Sequence, residues 1–289
     1  MSINMRNYTG EQGCNSEDFY KIFNFLNSNG AAGFYENWHW ARWEWLMGHP
    51  NLKKEMVPII GVWECDNQVI GIATHDMRLG QAYFICKKNF DFLKNEMLLY
   101  AEKSLAANGK LQIAVNDIDN EFSSYLSTTD YRASESKETV LSIECKQYPY
   151  SLPQGFRISS YAENKDPNKY NTVIWKGFNH KGLPPLIERT DEETRPHFNP
   201  SHAVFIVAPN GEYAAHCGIW FIPDSEVAYV EPVVTIPEYR KQGFGKSVVY
   251  EAINRCYATG AKYALVISTQ EFYHQIGFTK SSSFTFWSK

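Results

Sequence analysis

Arg240-Lys241-Gln242-Gly243-Phe244-Gly245-Lys246 stands between an apolar run ending at Ile236 and an amphipathic stretch beginning at Ser247. The heptapeptide therefore lies where a strand turns into a helix, which is a place for an anion. Glycines at 243 and 245 let a ligand approach the main chain. The first free N–H groups of the following helix point at that ligand with the positive end of the helix dipole. Arg240 and Lys241 add charge at the mouth.

Two other phosphate motifs fail on the same letters. A Walker loop requires glycine where Arg240 stands, so Gly245-Lys246-Ser247 is only a partial match. A dinucleotide fingerprint wants Gly or Ala where Val248 stands. Arg-x-x-Gly-x-Gly led in by Thr235-Ile236-Pro237-Glu238-Tyr239 instead resembles the acyl-CoA pyrophosphate loop of the GCN5-related N-acetyltransferases. Further on, Phe272-Tyr273-His274-Gln275-Ile276-Gly277-Phe278 resembles the second signature of that family.

Around the loop the elements are regular. Alternation and β-rich composition predict strands over 202–208, 213–221 and 226–236, the first two joined by the hairpin signal Pro209-Asn210-Gly211-Glu212. A helix follows, with Phe244, Val248, Val249, Ala252, Ile253, Cys256 and Tyr257 at helical spacing and Gly260 as its stop. A short strand 263–267, a brief helix 270–275 and a last strand 283–287 complete the half.

The first half repeats the order. Strands are expected over 57–63, 69–75 and 81–86, then a helix carrying Phe92, Leu93, Met97, Leu98, Ala101 and Leu105 and ended by Gly109, then a strand 111–115. Gly109 and Gly260 lie about one domain length apart, as a duplicated fold requires. The counterpart of the glycine loop is Lys87-Lys88-Asn89-Phe90-Asp91, with no glycine to admit a pyrophosphate, and Thr129-Asp130-Tyr131 replaces Ile276-Gly277-Phe278. The expected fold is thus α+β with mixed sheets: two tandem domains of this type, a degenerate one over 1–147 and a cofactor-binding one over 151–289. Pro149, Pro153 and Gly155 mark the boundary, and 182–200, with the acidic run Asp191-Glu192-Glu193, reads as a long connection, an element that often lines sites.

Composition excludes several classes. A chain of 289 residues with net charge −4 and no basic stripe does not suggest nucleic acid or an anionic membrane as partner. No run reaches the roughly 20 apolar residues of a membrane span, and the first residues lack a signal-peptide pattern, so a cytoplasmic location is expected. Six cysteines are scattered singly, without the spacing of a zinc site or a disulfide framework, and read as buried thiols.

What the resemblance implies is specific. Acetyl-CoA enters as cofactor and leaves as CoA; its pantetheine lies against main-chain groups of Val233, Val234 and Thr235, where one strand splays from the next. Its pyrophosphate rests on the N–H groups of Gln242, Gly243, Phe244, Gly245, Lys246 and Ser247. Tyr273, at the position of the family tyrosine, donates a proton to the departing sulfur. The acceptor is a primary amine of a small molecule or peptide. An amine of pKa near 10.4 is neutral about once in 10³ at pH 7, a deficit of about 4–5 kcal/mol that a base or a desolvating pocket must offset. Period-two alternation puts Glu231 on the face of Val233 and Thr235, where it could accept the amine proton; a solvated strand-end carboxylate is the plainer alternative. His216 reads as a core histidine or as part of the acceptor site.

The segment from Phe34 to Trp45 holds four of the eight tryptophans. It is either a pocket wall, with Glu36 and Glu44 beside aromatic faces for a cationic acceptor, or a helix whose apolar face packs on a sheet. Two further functions stay open: a non-catalytic acyl-CoA sensor that kept the fold, and transfer of a longer acyl chain.

Overall fold

Asp66 and Asn67 take φ values of 50° and 62°, the left-handed pair that a two-residue hairpin turn needs. They fold Gly61–Cys65 antiparallel onto Gln68–Thr74. The structure is a computed structural model and describes residues 2–30 and 37–289. In chain order the elements are β1 (Ile3–Asn7), α1 (Glu17–Gly30), α2 (Trp40–Gly48), β2 (Gly61–Cys65), β3 (Gln68–Thr74), β4 (Gln81–Cys86), α3 (Lys94–Ser104), β5 (Gln112–Asn116), α4 (Asn120–Ser127) and β6 (Arg132–Glu144). There follow β7 (Arg157–Ser160), α5 (Pro167–Gly177), β8 (Ala203–Val207), β9 (Tyr213–Trp220), β10 (Val227–Thr235), α6 (Phe244–Ala258), β11 (Tyr263–Ile267), α7 (Glu271–Gln275) and β12 (Thr279–Ser288).

Two compact units result: Met1–Leu141 with Ile267–Glu271 and Lys280–Lys289, and Ser142–Val266 with Phe272–Thr279. The extents read from the sequence, 1–147 and 151–289, differ from this in one important respect. The last strand forms as expected, but its residues from Lys280 onward belong to the first unit, where β12 pairs antiparallel with β5. Strand pairing across distant sequence leaves no local signal.

In the first unit β1 to β4 are successive antiparallel neighbours and β4 runs parallel to β5. Trp63, Met97, Ala101, Ile113 and Leu126 form the centre of its core. The expected strand start at Val57 is overturned: Lys54–Met56 is a 3-10 turn and pairing begins only at Gly61. Pro58 lacks the N–H a ladder needs. Gly109 does not end α3 either, since Leu105 is its cap and Gly109 (φ 75°) serves the tight turn between Ala107 and Lys110. Phe92 precedes the helix in a 3-10 turn and is 61% exposed, so it is no part of the core.

The tryptophan-rich segment is packing. Trp38, Trp40 and Trp43 are buried, and the cation over the Trp38 and Tyr83 rings is the chain's own Arg42, at 4.4 and 4.7 Å. Burial disfavours that charge, but Asp76 (2.6 Å) and Glu138 (2.9 Å) outweigh it and hold the guanidinium pKa well above its ordinary value. Glu44, one carboxylate of the expected pocket wall, is buried too; Phe34, Tyr35 and Glu36 lie outside the described residues.

The second unit has strand order β7-β8-β9-β10-β11, antiparallel except for β10 with β11. Asp166 caps α5 through Lys169 N, with Pro167 at the first helical position, a start signal that is plain once sought. His216 on β9 is fully buried, its Nδ1 3.0 Å from Val204 O and its ring against Phe205 and Tyr170. It is a core histidine, and burial pushes its pKa down to about 3. None of the six cysteines is in a disulfide, and five of them are buried. No helix among the described residues is long and apolar enough to cross a membrane.

Candidate active site

β10 pairs with β11 from Val227↔Tyr263 to Tyr229↔Leu265 and no further, whereas it continues along β9 to Thr235↔Ala215. The two parallel strands therefore part after Tyr229. Val233, Val234 and Thr235 lie beyond that point. Val234 turns its side chain into the core formed with Tyr170 and Val173, and Val233 and Thr235 stay half-buried.

Between Val230↔Ile219 and Val233↔Cys217 the ladder carries a bulge, with Glu231 and Pro232 opposite Gly218 alone. A Cβ on Gly218 would stand 2.6 Å from Glu231 O and 2.9 Å from the Pro232 ring, so only glycine admits this backbone. The bulge corrects the alternation expected from the sequence, because one extra residue reverses the pleat. Tyr229 pairs with Trp220 and Val233 with Cys217, three positions away on β9 and hence on the other face. Glu231 stays on the side of Tyr229, whose hydroxyl donates to Glu231 Oε2 at 2.9 Å. Trp220 Nε1 donates to Glu231 O at 3.0 Å.

The loop leading to α6 is exposed from Arg240 to Gly243 and again at Lys246. Gly243 is the N-cap in the left-handed region (φ 83°) and offers no side-chain cap. A Cβ there would meet nothing within 4 Å, so the missing side chain leaves open space over the helix start. Gly245 is glycine for another reason: a Cβ would press on the Phe272 ring at 3.2 Å. The Ser247 N–H closes the first helical bond to Gly243 O at 3.0 Å, and its hydroxyl bonds Ser151 O. That narrows the expected donors, since a helix leaves free only the N–H groups of its cap and first turn, here Gly243, Phe244, Gly245 and Lys246.

The charged residues of the loop divide. Arg240 Nε donates to Thr235 O at 3.0 Å and its Nη2 to Gly177 O at 2.7 Å and Asn179 Oδ1 at 3.2 Å. It holds the loop to β10 and α5. Lys241, at φ 62°, is exposed, Gln242 donates to Glu238 O, and Lys246 lies over the Tyr250 ring at 5.2 Å. Phe244 is buried against Phe156 and anchors the first turn.

Tyr273 on α7 is 6% exposed and packs edge-on to Phe272 and Phe278. Burial, with smaller contributions from Cys217 and Glu231, pushes its phenol well above the ordinary tyrosine value. The group therefore stays protonated at neutral pH and has a proton to give.

The acidic run of the long connection also reaches this region. Glu192, in a 3-10 turn over Glu192–Thr194, lines a recess with Tyr170, Phe198, Trp220 and Glu231. Burial pushes its carboxyl pKa up, against the opposing pull of Arg195. Arg195 itself lies 5.6 Å over the Trp220 ring. The run Asp191-Glu192-Glu193 is plain in the sequence, but that Glu192 lines the recess while Glu193 accepts from Tyr161 and Thr190 depends on the turn.

Residues 146–278 match the sequence model of the acetyltransferase (GNAT) family. No curated protein matches the chain significantly. Among solved structures, a GCN5-related N-acetyltransferase from Sphaerobacter thermophilus has a TM-score of 0.62 at 14% identity, over 99% of this chain and 95% of that one. A tandem GNAT protein from the clavulanic acid biosynthesis pathway has a TM-score of 0.58 at 9% identity, over 100% and 98%. Saccharomyces cerevisiae N-myristoyltransferase, solved with myristoyl-CoA, has 0.53 at 10%, over 99% and 80%. At such identities the likeness is one of fold, and it extends over both units.

Proposed function

We propose, from the match of residues 146–278 to the acetyltransferase (GNAT) family, that the protein is an acetyl-CoA-dependent N-acetyltransferase acting on a primary amine of a small molecule or peptide. The observation that carries the reading is the uncapped, exposed start of α6 beside the parting of β10 from β11, with Tyr273 on the adjoining helix. The fit to a diphosphate is chemical as well as spatial, because four successive main-chain donors and the helix dipole converge where Gly243 leaves open space.

Acetyl-CoA, when bound, supplies the acyl group as an activated thioester. Main-chain groups of Val233 and Val234 flank the parted strands and orient its arm. Thr235 O already serves Arg240, so Arg240 acts by holding the loop, while Lys241 and Lys246 supply the mobile positive charge. Glu231 accepts a proton from the acceptor ammonium, directly or through water, which makes the attacking nitrogen neutral. As the N–C bond formed and the C–S bond broke, Tyr273 would give its phenolic proton to the departing sulfur, and the proton that the nitrogen sheds on becoming an amide would return through water to the phenolate. Lys87–Asp91 in the first unit lacks the glycine start, so one cofactor site per chain is expected.

Isothermal titration of the whole chain with acetyl-CoA tests this. One site per chain is expected, with binding abolished in Gly243→Glu, whose carboxylate enters the open space over α6. Undiminished binding in that variant overturns the loop assignment. Binding without CoA release in the presence of any amine of a polyamine, aminoglycoside, amino-acid and peptide panel replaces the enzyme with an acyl-CoA sensor. Propionyl-, succinyl- and myristoyl-CoA in the same assay define acyl length.

A further inference from the structure

The first unit contains its own parting of parallel strands. β4 pairs with β5 from Gln81↔Gln112 to Tyr83↔Ala114, after which Phe84–Cys86 and Val115–Asn116 separate. A cavity of about 430 Å³ opens there, a size within the range of small-molecule sites. Its chemistry is unlike that of the second unit's site.

The entrance has no free helix start. Lys88–Leu93 winds as 3-10 turns kinked at Phe90 (φ −121°) and leads into α3, and the Lys94 N–H is taken by Asp91 O. The side chain of Lys94 is held by Asp91 at 2.6 Å and Asp119 at 2.5 Å. Burial works against its charge, but those two hydrogen-bonded carboxylates raise its pKa above the ordinary lysine value. The start of α4 is also occupied, since Asp119 Oδ1 accepts from Phe122 N at 3.0 Å. With Glu121, the lining carries three carboxylates against one ammonium, which repels a diphosphate. The inner wall is apolar, built from Phe84, Val115, Phe122 and Phe284. Aromatic faces beside surplus negative charge favour a cation that carries an apolar body.

We propose that the cleft between β4 and β5 binds a small organic cation of the arylalkylamine class, with its ring among the phenylalanines and its ammonium at the acidic rim. The inference does not depend on acyl-CoA binding in the second unit.

Titration calorimetry on the whole chain with 2-phenylethylammonium, and with phenylacetate as a probe of similar body and opposite charge, tests it. The ammonium is expected to bind and the carboxylate not. Glu121→Lys, an exposed position in the first turn of α4, is expected to weaken the ammonium about tenfold or more, equivalent to about 1.4 kcal/mol. Acetyl-CoA titrated into that variant is expected to behave as in the parent chain, and Gly243→Glu is expected to leave the ammonium unaffected, so the two sites fail separately. Equal binding of both probes, no ammonium binding at low millimolar concentration, or ammonium binding undiminished in Glu121→Lys overturns the proposal.

Discussion

Arg240 Nη2 donates to the carbonyl oxygen of Gly177 at 2.7 Å, tying the residue that opens the glycine loop to the last residue of α5. Together with its bond to Thr235 O, this makes the guanidinium a clamp between a helix end, a strand end and the loop. A carbonyl at a helix C-terminus is a favourable partner for a cation.

The clamp needs a fork rather than a point charge. Arg240→Ala is expected to lower acetyl-CoA affinity about tenfold, or about 1.4 kcal/mol. Arg240→Lys is expected to restore little of it, because lysine cannot serve two carbonyls in fixed geometry. Calorimetry on the two variants decides. Full recovery with lysine would assign Arg240 to direct charge attraction.

The bulge at Glu231 depends on Gly218. Gly218→Ala forces a Cβ to within 2.6 Å of Glu231 O, and overpacking of this kind costs about 1–3 kcal/mol. A lowered urea midpoint at unchanged slope is expected, with a fall in turnover from the displaced carboxylate.

Tyr273→Phe is expected to reduce kcat by about 10²-fold or more at unchanged acetyl-CoA affinity, since the phenol is assigned to the leaving sulfur alone. The raised phenol pKa fixes the sign of the pH dependence: the proton is present below that value and lost only above the ordinary tyrosine range. The rate should therefore show no alkaline limb from this group below about pH 10. Equal turnover in the variant removes Tyr273 as the acid.

His216 is neutral in the fold, its pKa pushed down to about 3 by burial, whereas an unfolded histidine titrates near 6.5. The unfolded state therefore binds the extra proton as pH falls below 6.5, and stability is lost from there toward pH 3, with none lost above. This contribution is on the order of 3 kcal/mol by pH 4. His216→Gln should flatten the stability curve between pH 4 and 6.5, measured as urea midpoints. An unchanged curve would mean that the histidine charges without unfolding.

Much of the second unit can be read from local letters. β11 runs over the expected residues, α6 starts at its glycines and ends before Gly260, and the hairpin at Pro209–Glu212 closes with Gly211 at φ 82°. Each depends on a residue type acting on its own backbone. β6 is only half legible, because its first seven residues, Arg-Ala-Ser-Glu-Ser-Lys-Glu, are almost wholly polar and only Val140, Leu141 and Ile143 near its end carry a strand signal. The face of Glu231 does not follow from alternation because a bulge adds a residue there; Pro232 inside a central strand is its one local signal, and Gly218, thirteen residues before Glu231, is what allows it.

Local chemistry alone thus settles that a glycine-started helix follows a strand at residues 235–247, and that no equivalent start exists at 87–91, because backbone freedom and helix-end donors belong to the residues themselves. Long-range pairing decides the rest. The parting of β10 from β11, the inward turn of Glu192, the clamp of Arg240 on Gly177, and the passage of the final strand into the first unit all join residues far apart in the chain. Their energies come from packing and hydrogen bonds that exist only once both partners have been brought together.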